Sequence, residues 1–186
     1  AGAHSFFPAK APQPFYRTIM RDKSPLIEPE YLTDANARET VNFIGANQDK
    51  PFFAYVPFNA VHTPIEATKK YQDRFPDETN QTRRDYYAMT SALDDAVGSI
   101  VAALDKHGLS ENTLVIFVND NGGPTYTRVQ SNGPLKLGKL FLFEGGIRVP
   151  MVVKMPGKFK PGTVYDHPTS TLDLFPTICA LAGIKV

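Results

Sequence analysis

The run Thr113-Leu114-Val115-Ile116-Phe117-Val118 constrains the fold of this chain more than any other stretch. Its β-branched and apolar residues predict a buried strand. Asn119-Asp120-Asn121-Gly122-Gly123-Pro124 follows at once, and a strand does not continue through such residues. Just upstream, from about Arg84 to His107, Met89, Leu93, Ala96, Val97, Ile100, Val101 and Leu104 recur at three- and four-residue steps. That spacing predicts an amphipathic helix, with Gly108 as its stop. A helix leading straight into a buried strand is the handover of a parallel sheet. The expected fold class is therefore α/β, with a largely parallel sheet flanked by helices. In such sheets ligands bind beyond the carboxyl ends of the strands, which puts Asp120 and Asn121 where chemistry is expected.

The rest of the chain fits that frame. Pro8, Pro12, Pro14, Pro25 and Pro29 make residues 1–30 read as an irregular, proline-rich loop, with the α/β portion over 31–186. A helix is expected at about Leu32 to Asn47, capped by Thr33 or Asp34, with Val41, Phe43 and Ile44 inward. Phe52 to Phe58 reads as a second apolar strand ending in Asn59-Ala60-Val61-His62-Thr63-Pro64, and a short helical piece fits Thr68 to Phe75. Met151 to Lys154 reads as a short strand closed by Pro156-Gly157. The last helix starts near Ser170 or Thr171, carries Leu172, Leu174, Phe175, Ile178 and Leu181 on one face, and ends at Gly183.

Composition narrows the partners. The net charge of +1 over 186 residues, with no basic block, argues against nucleic acid or an anionic membrane surface. No apolar run approaches the length of a membrane span. Ala1-Gly2-Ala3-His4-Ser5 has neither the basic start nor the apolar stretch of a signal peptide. The missing initiator Met and abrupt opening point to a piece of something longer, so the location stays unknown from these residues. Cys179 is the only cysteine, which excludes an intrachain disulfide and a cysteine metal cluster, and its apolar segment suits a core thiol.

Several residues could carry chemistry. Asp120 and Asn121 offer a carboxylate and an amide oxygen, hard ligands suited to Ca²⁺ or Mg²⁺, although Asp-Asn-Gly-Gly is also ordinary turn chemistry. His62 should reach the same sheet edge as Asp120, where it could donate a proton or bond an anionic oxygen. A plain loop histidine before a Thr-Pro turn is the alternative. Lys139, reaching into a strand-end crevice, would pair with sulfate or phosphate; a solvated surface lysine is the default. Glu144-Gly145-Gly146-Ile147-Arg148 reads as architecture, its glycines allowing a tight backbone and its charged ends locking adjacent loops. Asp94-Asp95 belongs to the polar face of the long helix, Arg83-Arg84 reads as solvated, and His107 is placed to meet the helix's last carbonyls.

Taken in order, these pieces resemble the second half of the catalytic domain of the formylglycine-dependent sulfatases, within the alkaline phosphatase superfamily. The similarity runs from Ala3-His4-Ser5-Phe6-Phe7-Pro8 through Phe52 to Pro64 and Ala92-Leu93-Asp94-Asp95-Ala96-Val97-Gly98. It continues through Val118 to Gly123 and Glu144 to Pro150, ending at Ser170-Thr171-Leu172-Asp173-Leu174-Phe175-Pro176-Thr177. The resemblance implies that residues 1–186 are a fragment of a sulfatase catalytic domain. In that family a hydrated formylglycine attacks the sulfate sulfur while Ca²⁺, Lys and His neutralise the sulfuryl oxygens. It implies Asp120 and Asn121 as calcium ligands, His62 and Lys139 as catalytic groups on the sulfate, and Ser5 with His4 as a sulfate-side position.

Departures from the family pattern matter as much. No Cys/Ser-x-Pro-x-Arg motif occurs, since Cys179 is followed by Ala180-Leu181-Ala182-Gly183, and the family's paired aspartates are absent. The resemblance places both upstream, in a missing N-terminal half. After Lys139 stands Leu140-Phe141, where the family has a small residue and then Thr or Ser. The expected function is hydrolysis of sulfate esters, on a carbohydrate or another sulfated molecule, by a parent protein that is periplasmic or secreted by family resemblance. The fragment alone is expected to be inactive. The alternatives are a phosphodiesterase or phosphonate hydrolase of the same superfamily, and a non-catalytic relative that binds a sulfated glycan.

Overall fold

The computed structural model describes residues 5–8 and 18–185. It opens with an antiparallel hairpin, β1 (Ile19–Arg21) and β2 (Ser24–Leu26), inside the stretch whose prolines read as irregular. The turn is made at Asp22, with φ of 54°, in the left-handed region that Asp tolerates better than most residues. Pro25 fits because each strand of a two-stranded pair is an edge and can spare an N–H.

Helix α1 (Leu32–Ala46) lies where it was expected, but its cap position falls on Tyr31, which makes no side-chain cap bond. Ile44 is buried and Val41 packs beside it, whereas Phe43 stays 39% exposed, edge-on to Phe52 with ring centroids 5.6 Å apart. Helix α2 (Lys69–Gln72) is a single turn. Helix α3 (Gln81–Lys106) begins earlier than its apolar stripe suggests, because Asn80 accepts a hydrogen bond from the Arg83 N–H at 3.0 Å. It stops at Gly108, with φ of +66°. Arg83 and Arg84 are not simply solvated: Arg83 pairs with Glu78 at 2.8 Å, and Arg84 Nε donates to the Glu78 carbonyl at 2.9 Å. The His107 ring reaches Gln48 at 2.6 Å instead of the helix's last carbonyls. Asp95 does lie on the polar face, paired with Arg74 at 2.7 Å.

Two apolar clusters hold these helices. Phe6, Tyr31, Ala67, Tyr71, Ala88, Met89 and Ala92 form one, with Ala60, Val61 and Ile65 packed against it. Ile44, Ala103 and Leu104 form the other, flanked by Phe52, Ile100 and Val115. The Phe52 to Phe58 segment thus packs through Phe52 beside the next strand, but it joins no sheet among the described residues. A strand needs a ladder partner, and its apolar composition alone does not supply one.

Strand β3 (Val115–Val118) ends at the predicted point, and a short helix, α4 (Glu144–Ile147), precedes strand β4 (Met151–Lys154). The two strands pair antiparallel, Val115 opposite Lys154 and Val118 opposite Met151. This corrects the expectation of a largely parallel sheet: both sheets among the described residues are two-stranded and antiparallel. A parallel partner requires a crossover back to the start of the strand. Here residues 119–150 return to the same end, where the Asn119 N–H meets the Pro150 carbonyl at 3.4 Å.

Helix α5 (Leu174–Leu181) is launched by a capping box, in which Ser170 Oγ accepts from the Leu172 N–H and Asp173 Oδ2 from the Ser170 N–H. It closes at Gly183, with φ of +71°. No α5 residue is buried, and Cys179 is half-buried instead of forming part of a core. No helix among the described residues is long and apolar enough to cross a membrane.

Candidate functional site

The end of β3 delivers Asp120 and Asn121 into a loop fixed by its own backbone. Asp120 is exposed, and its Oδ1 accepts the Asn121 N–H at 2.9 Å. The Asn121 Nδ2 donates to the Gly122 carbonyl at 2.9 Å, leaving Oδ1 as the amide atom suited to a cation. Gly122 donates to the Gly146 carbonyl at 2.9 Å, so close that a Cβ at Gly122 would lie 1.7 Å from the Gly145 oxygen.

Lys139 joins the same cluster. Its backbone N–H donates to the Gly123 carbonyl at 3.2 Å, and the Gly145 N–H donates to the Lys136 carbonyl at 3.0 Å. A Cβ at Gly138 would sit 2.1 Å from the Gly123 oxygen, and one at Gly145 would sit 2.1 Å from the Leu137 oxygen. Three loops therefore pack backbone against backbone, which is the architectural role expected of the Glu144 to Arg148 glycines. The charged ends of that segment behave differently. Glu144, at the start of α4, and Arg148, just past its end, face each other at 3.5 Å, both exposed, instead of bridging to neighbouring loops.

One side chain the sequence did not single out holds this cluster. Asn132 Oδ1 accepts the Gly123 N–H at 3.0 Å, while Nδ2 donates to the carbonyls of Gly123 at 2.8 Å and Leu137 at 2.9 Å. In the sequence it lies in Ser131-Asn132-Gly133-Pro134, whose composition signals only a turn.

His62 occupies a second loop. Its Nδ1 lies 2.8 Å from the Thr63 carbonyl, which only accepts, so Nδ1 carries the proton and Nε2 is the open position. Ser5 is tied to the same loop, with Oγ donating to Glu66 Oε1 at 2.6 Å. The Phe6 N–H bonds the same carboxylate oxygen, and the Tyr31 hydroxyl donates to the Glu66 carbonyl at 3.0 Å. Glu66 is thus a second residue that sequence reasoning missed, and it ties Ser5 to the loop that carries His62. His4 lies outside the described residues. Asp120, Asn121 and Lys139 share one loop cluster, and Ser5 shares the other with His62. No hydrogen bond or ion pair among the described residues joins the two.

The donor chemistry of Asp120 and Asn121 fits a hard divalent cation as part of a site. Ca²⁺ takes about six to eight oxygens, and no group of three or more His, Cys, Asp or Glu among the described residues could hold a metal. These two residues would supply two corners of a shell completed elsewhere.

Comparison with known proteins identifies relatives of this chain. The family model described as Sulfatase matches residues 5–184. A sulfatase of Formosa agariphila is 38% identical over 173 residues, 85% of this chain and 31% of that protein. Rat steryl-sulfatase is 39% identical over 83% of this chain and 27% of its own, and rat N-acetylgalactosamine-6-sulfatase is 35% identical over 83% and 29%. The chain thus spans about three tenths of the length of these curated relatives. Among solved structures, Ps i-CgsB in complex with k-i-k-neocarrahexaose matches with a TM-score of 0.92 at 38% identity, over 100% of this chain and 44% of that one. The PsFucS1 sulfatase from Pseudoalteromonas sp. matches with a TM-score of 0.72 at 29% identity, over 82% of this chain and 30% of that one.

Proposed function

The chain belongs to the sulfatase family, and from that premise we propose that it forms part of a catalytic domain that hydrolyses sulfate esters on a carbohydrate. The observation that carries this reading is the backbone-locked cluster at the end of β3, which holds Asp120, Asn121 and Lys139 on adjoining loops. The carbohydrate assignment is supported by the oligosaccharide bound to Ps i-CgsB and by the name of the N-acetylgalactosamine-6-sulfatase.

In this reading Asp120 and Asn121 present two oxygens to Ca²⁺, with Mg²⁺ the lesser fit. When bound, that ion supplies positive charge against the sulfuryl oxygens. Lys139 holds one sulfate oxygen by charge and hydrogen bond. His62, its ring fixed through Nδ1 on Thr63, can act through Nε2 only when that nitrogen is also protonated, donating to a sulfate oxygen or giving the proton to the departing alcohol oxygen. Ser5, held by Glu66, is the sulfate-side position in this reading. No Cys/Ser-x-Pro-x-Arg motif occurs in the chain, so the formylglycine nucleophile and the remaining cation ligands come from further residues of a longer polypeptide.

Sulfate release from a sulfated carrageenan oligosaccharide tests the assignment. The complete polypeptide should release sulfate, and the present chain alone should not. Turnover by the chain alone would contradict the division of the site. A second reading rests on Leu140, which stands beside Lys139 with φ of 81° and 80% exposure where the family keeps a small residue. If the complete polypeptide binds the oligosaccharide without releasing sulfate, it is a glycan-binding relative. Release of phosphate from a phosphodiester, but not of sulfate, would make it a phosphodiesterase.

A further inference from the structure

We propose that Asn132 is a positioning residue that sets the separation between the Asp120–Asn121 pair and the Lys139 ammonium, an inference that rests on the sulfatase reading of those three residues. A turn asparagine ordinarily bonds its own backbone a few residues on. Asn132 instead reaches nine residues back to Gly123 as well as five residues on to Leu137. Gly123 lies two residues past Asn121, and Leu137 two residues before Lys139, so one planar amide spans the cation loop and the lysine loop.

The orientation of that amide is forced. Both Nδ2 protons are used, on the Gly123 oxygen at 2.8 Å and the Leu137 oxygen at 2.9 Å, while Oδ1 takes the Gly123 N–H at 3.0 Å. Turned over, it would set its oxygen against two carbonyls and its donors against an N–H. A Cβ at Gly138 would come within 2.5 Å of Asn132 Nδ2, so the glycine keeps the two loops in contact with the brace. Among the described residues, no other side chain hydrogen-bonds both segments. A cation and an ammonium that grip the same sulfate group must keep their spacing, and a misplacement of about 1 Å can cost about a hundredfold in rate.

The test uses the complete polypeptide that carries this chain, with inorganic sulfate as the probe, read by calorimetry and as a competitive inhibitor. Wild type, Asn132→Ala, Lys139→Met and the double variant make a double-mutant cycle. Asn132→Ala should weaken sulfate binding about tenfold, the scale of one hydrogen bond to a charged group. Lys139→Met should weaken it at least as much, and the double variant no further than Lys139→Met alone. Additive losses would overturn the proposal, because Asn132 would then act without reference to the lysine. Loss in Lys139→Met with none in Asn132→Ala would overturn the positioning role and leave the sulfatase reading standing. Undiminished sulfate binding by Lys139→Met would remove the sulfatase role of Lys139 and this proposal with it. Should Asn132→Ala not fold, hydrogen exchange in the wild type decides. Protected Asn132 Nδ2 protons, together with slow Gly123 and Lys139 amides, support the brace; Nδ2 protons exchanging at the free rate refute it.

Discussion

Replacing Gly122 by Ala tests whether the cation loop is held by backbone contact alone. The added Cβ would stand 1.7 Å from the Gly145 oxygen, 2.8 Å from its carbonyl carbon and 3.2 Å from Gly146 Cα. All three are backbone atoms, so no side-chain rotation relieves the overlap, and the two loops must move apart. Overpacking of this kind costs about 1–3 kcal/mol. The Gly122 to Gly146 hydrogen bond at 2.9 Å would be lost in the same movement, adding about 1 kcal/mol. A combined loss of about 2–4 kcal/mol lowers the melting temperature of a domain of about 150–250 residues by roughly 4–16 °C, and of a larger cooperative unit by less. Scanning calorimetry of the complete polypeptide reads that shift, and a parallel Ca²⁺ titration should show weaker binding, because Asn121 adjoins the displaced residue. The control is Gly98→Ala on α3, where nothing lies within 4 Å of the new methyl. A Gly122→Ala protein melting within about 1 °C of wild type, with Ca²⁺ affinity intact, would refute the backbone-contact account.

Gly98→Ala itself should raise stability by about 0.5–1 kcal/mol, the helix-interior difference between the two residues, measured in the same scans. Lys139→Met should cut sulfate release by about a hundred- to a thousandfold, the scale of one lost charge-stabilising group, with melting unchanged. Asp120→Asn should weaken Ca²⁺ binding at least about tenfold by removing a ligand charge, as read by an indicator titration. The Arg74 guanidinium beside Asp95 holds its carboxyl below the ordinary value of 3.8. Because the folded state depresses that value, the pair's contribution is complete above pH 3.8 and is lost as pH falls below it. Wild type should therefore lose stability more steeply in that acid window than Asp95→Asn, which has no such proton to take up. Parallel acid-unfolding curves for the two proteins would count against the pair.

Local signals in the sequence located most elements, and long-range pairings were invisible to it. The stripe from Met89 to Leu104 marks α3 because helical period and burial coincide there, and Met89 and Leu104 are indeed in the two cores. Val115 to Val118 is a strand as its composition predicts, but the direction of its partner depends on where residues 119–150 return, which no local pattern encodes. The same limit explains Phe52 to Phe58, apolar yet unpaired in any described sheet. At the site, the strand-end rule picked out Asp120 and Asn121, and their place at the end of β3 matches it. Asn132 and Glu66 escaped notice because an asparagine before Gly-Pro and a glutamate in a loop look like ordinary surface. Asn132 works through backbone nine residues back and five on, and Glu66 through Ser5 and the Phe6 N–H at the other end of the chain segment, pairings that composition does not reveal.

The connection between β3 and β4 leaves and re-enters the sheet at one point, where Asn119 meets Pro150. Asp120, Asn121, Asn132, Lys139 and the loop glycines all lie inside that excursion. Its ends are pinned by ladder bonds that make no use of the intervening residues, so changes within it need not disturb the strands. Such a segment behaves as an exchangeable cassette. The interior at Leu140 to Phe143 is exposed throughout, so it can change while the strand ladder keeps its register. One loop can then be rewritten without redesigning the strands that carry it.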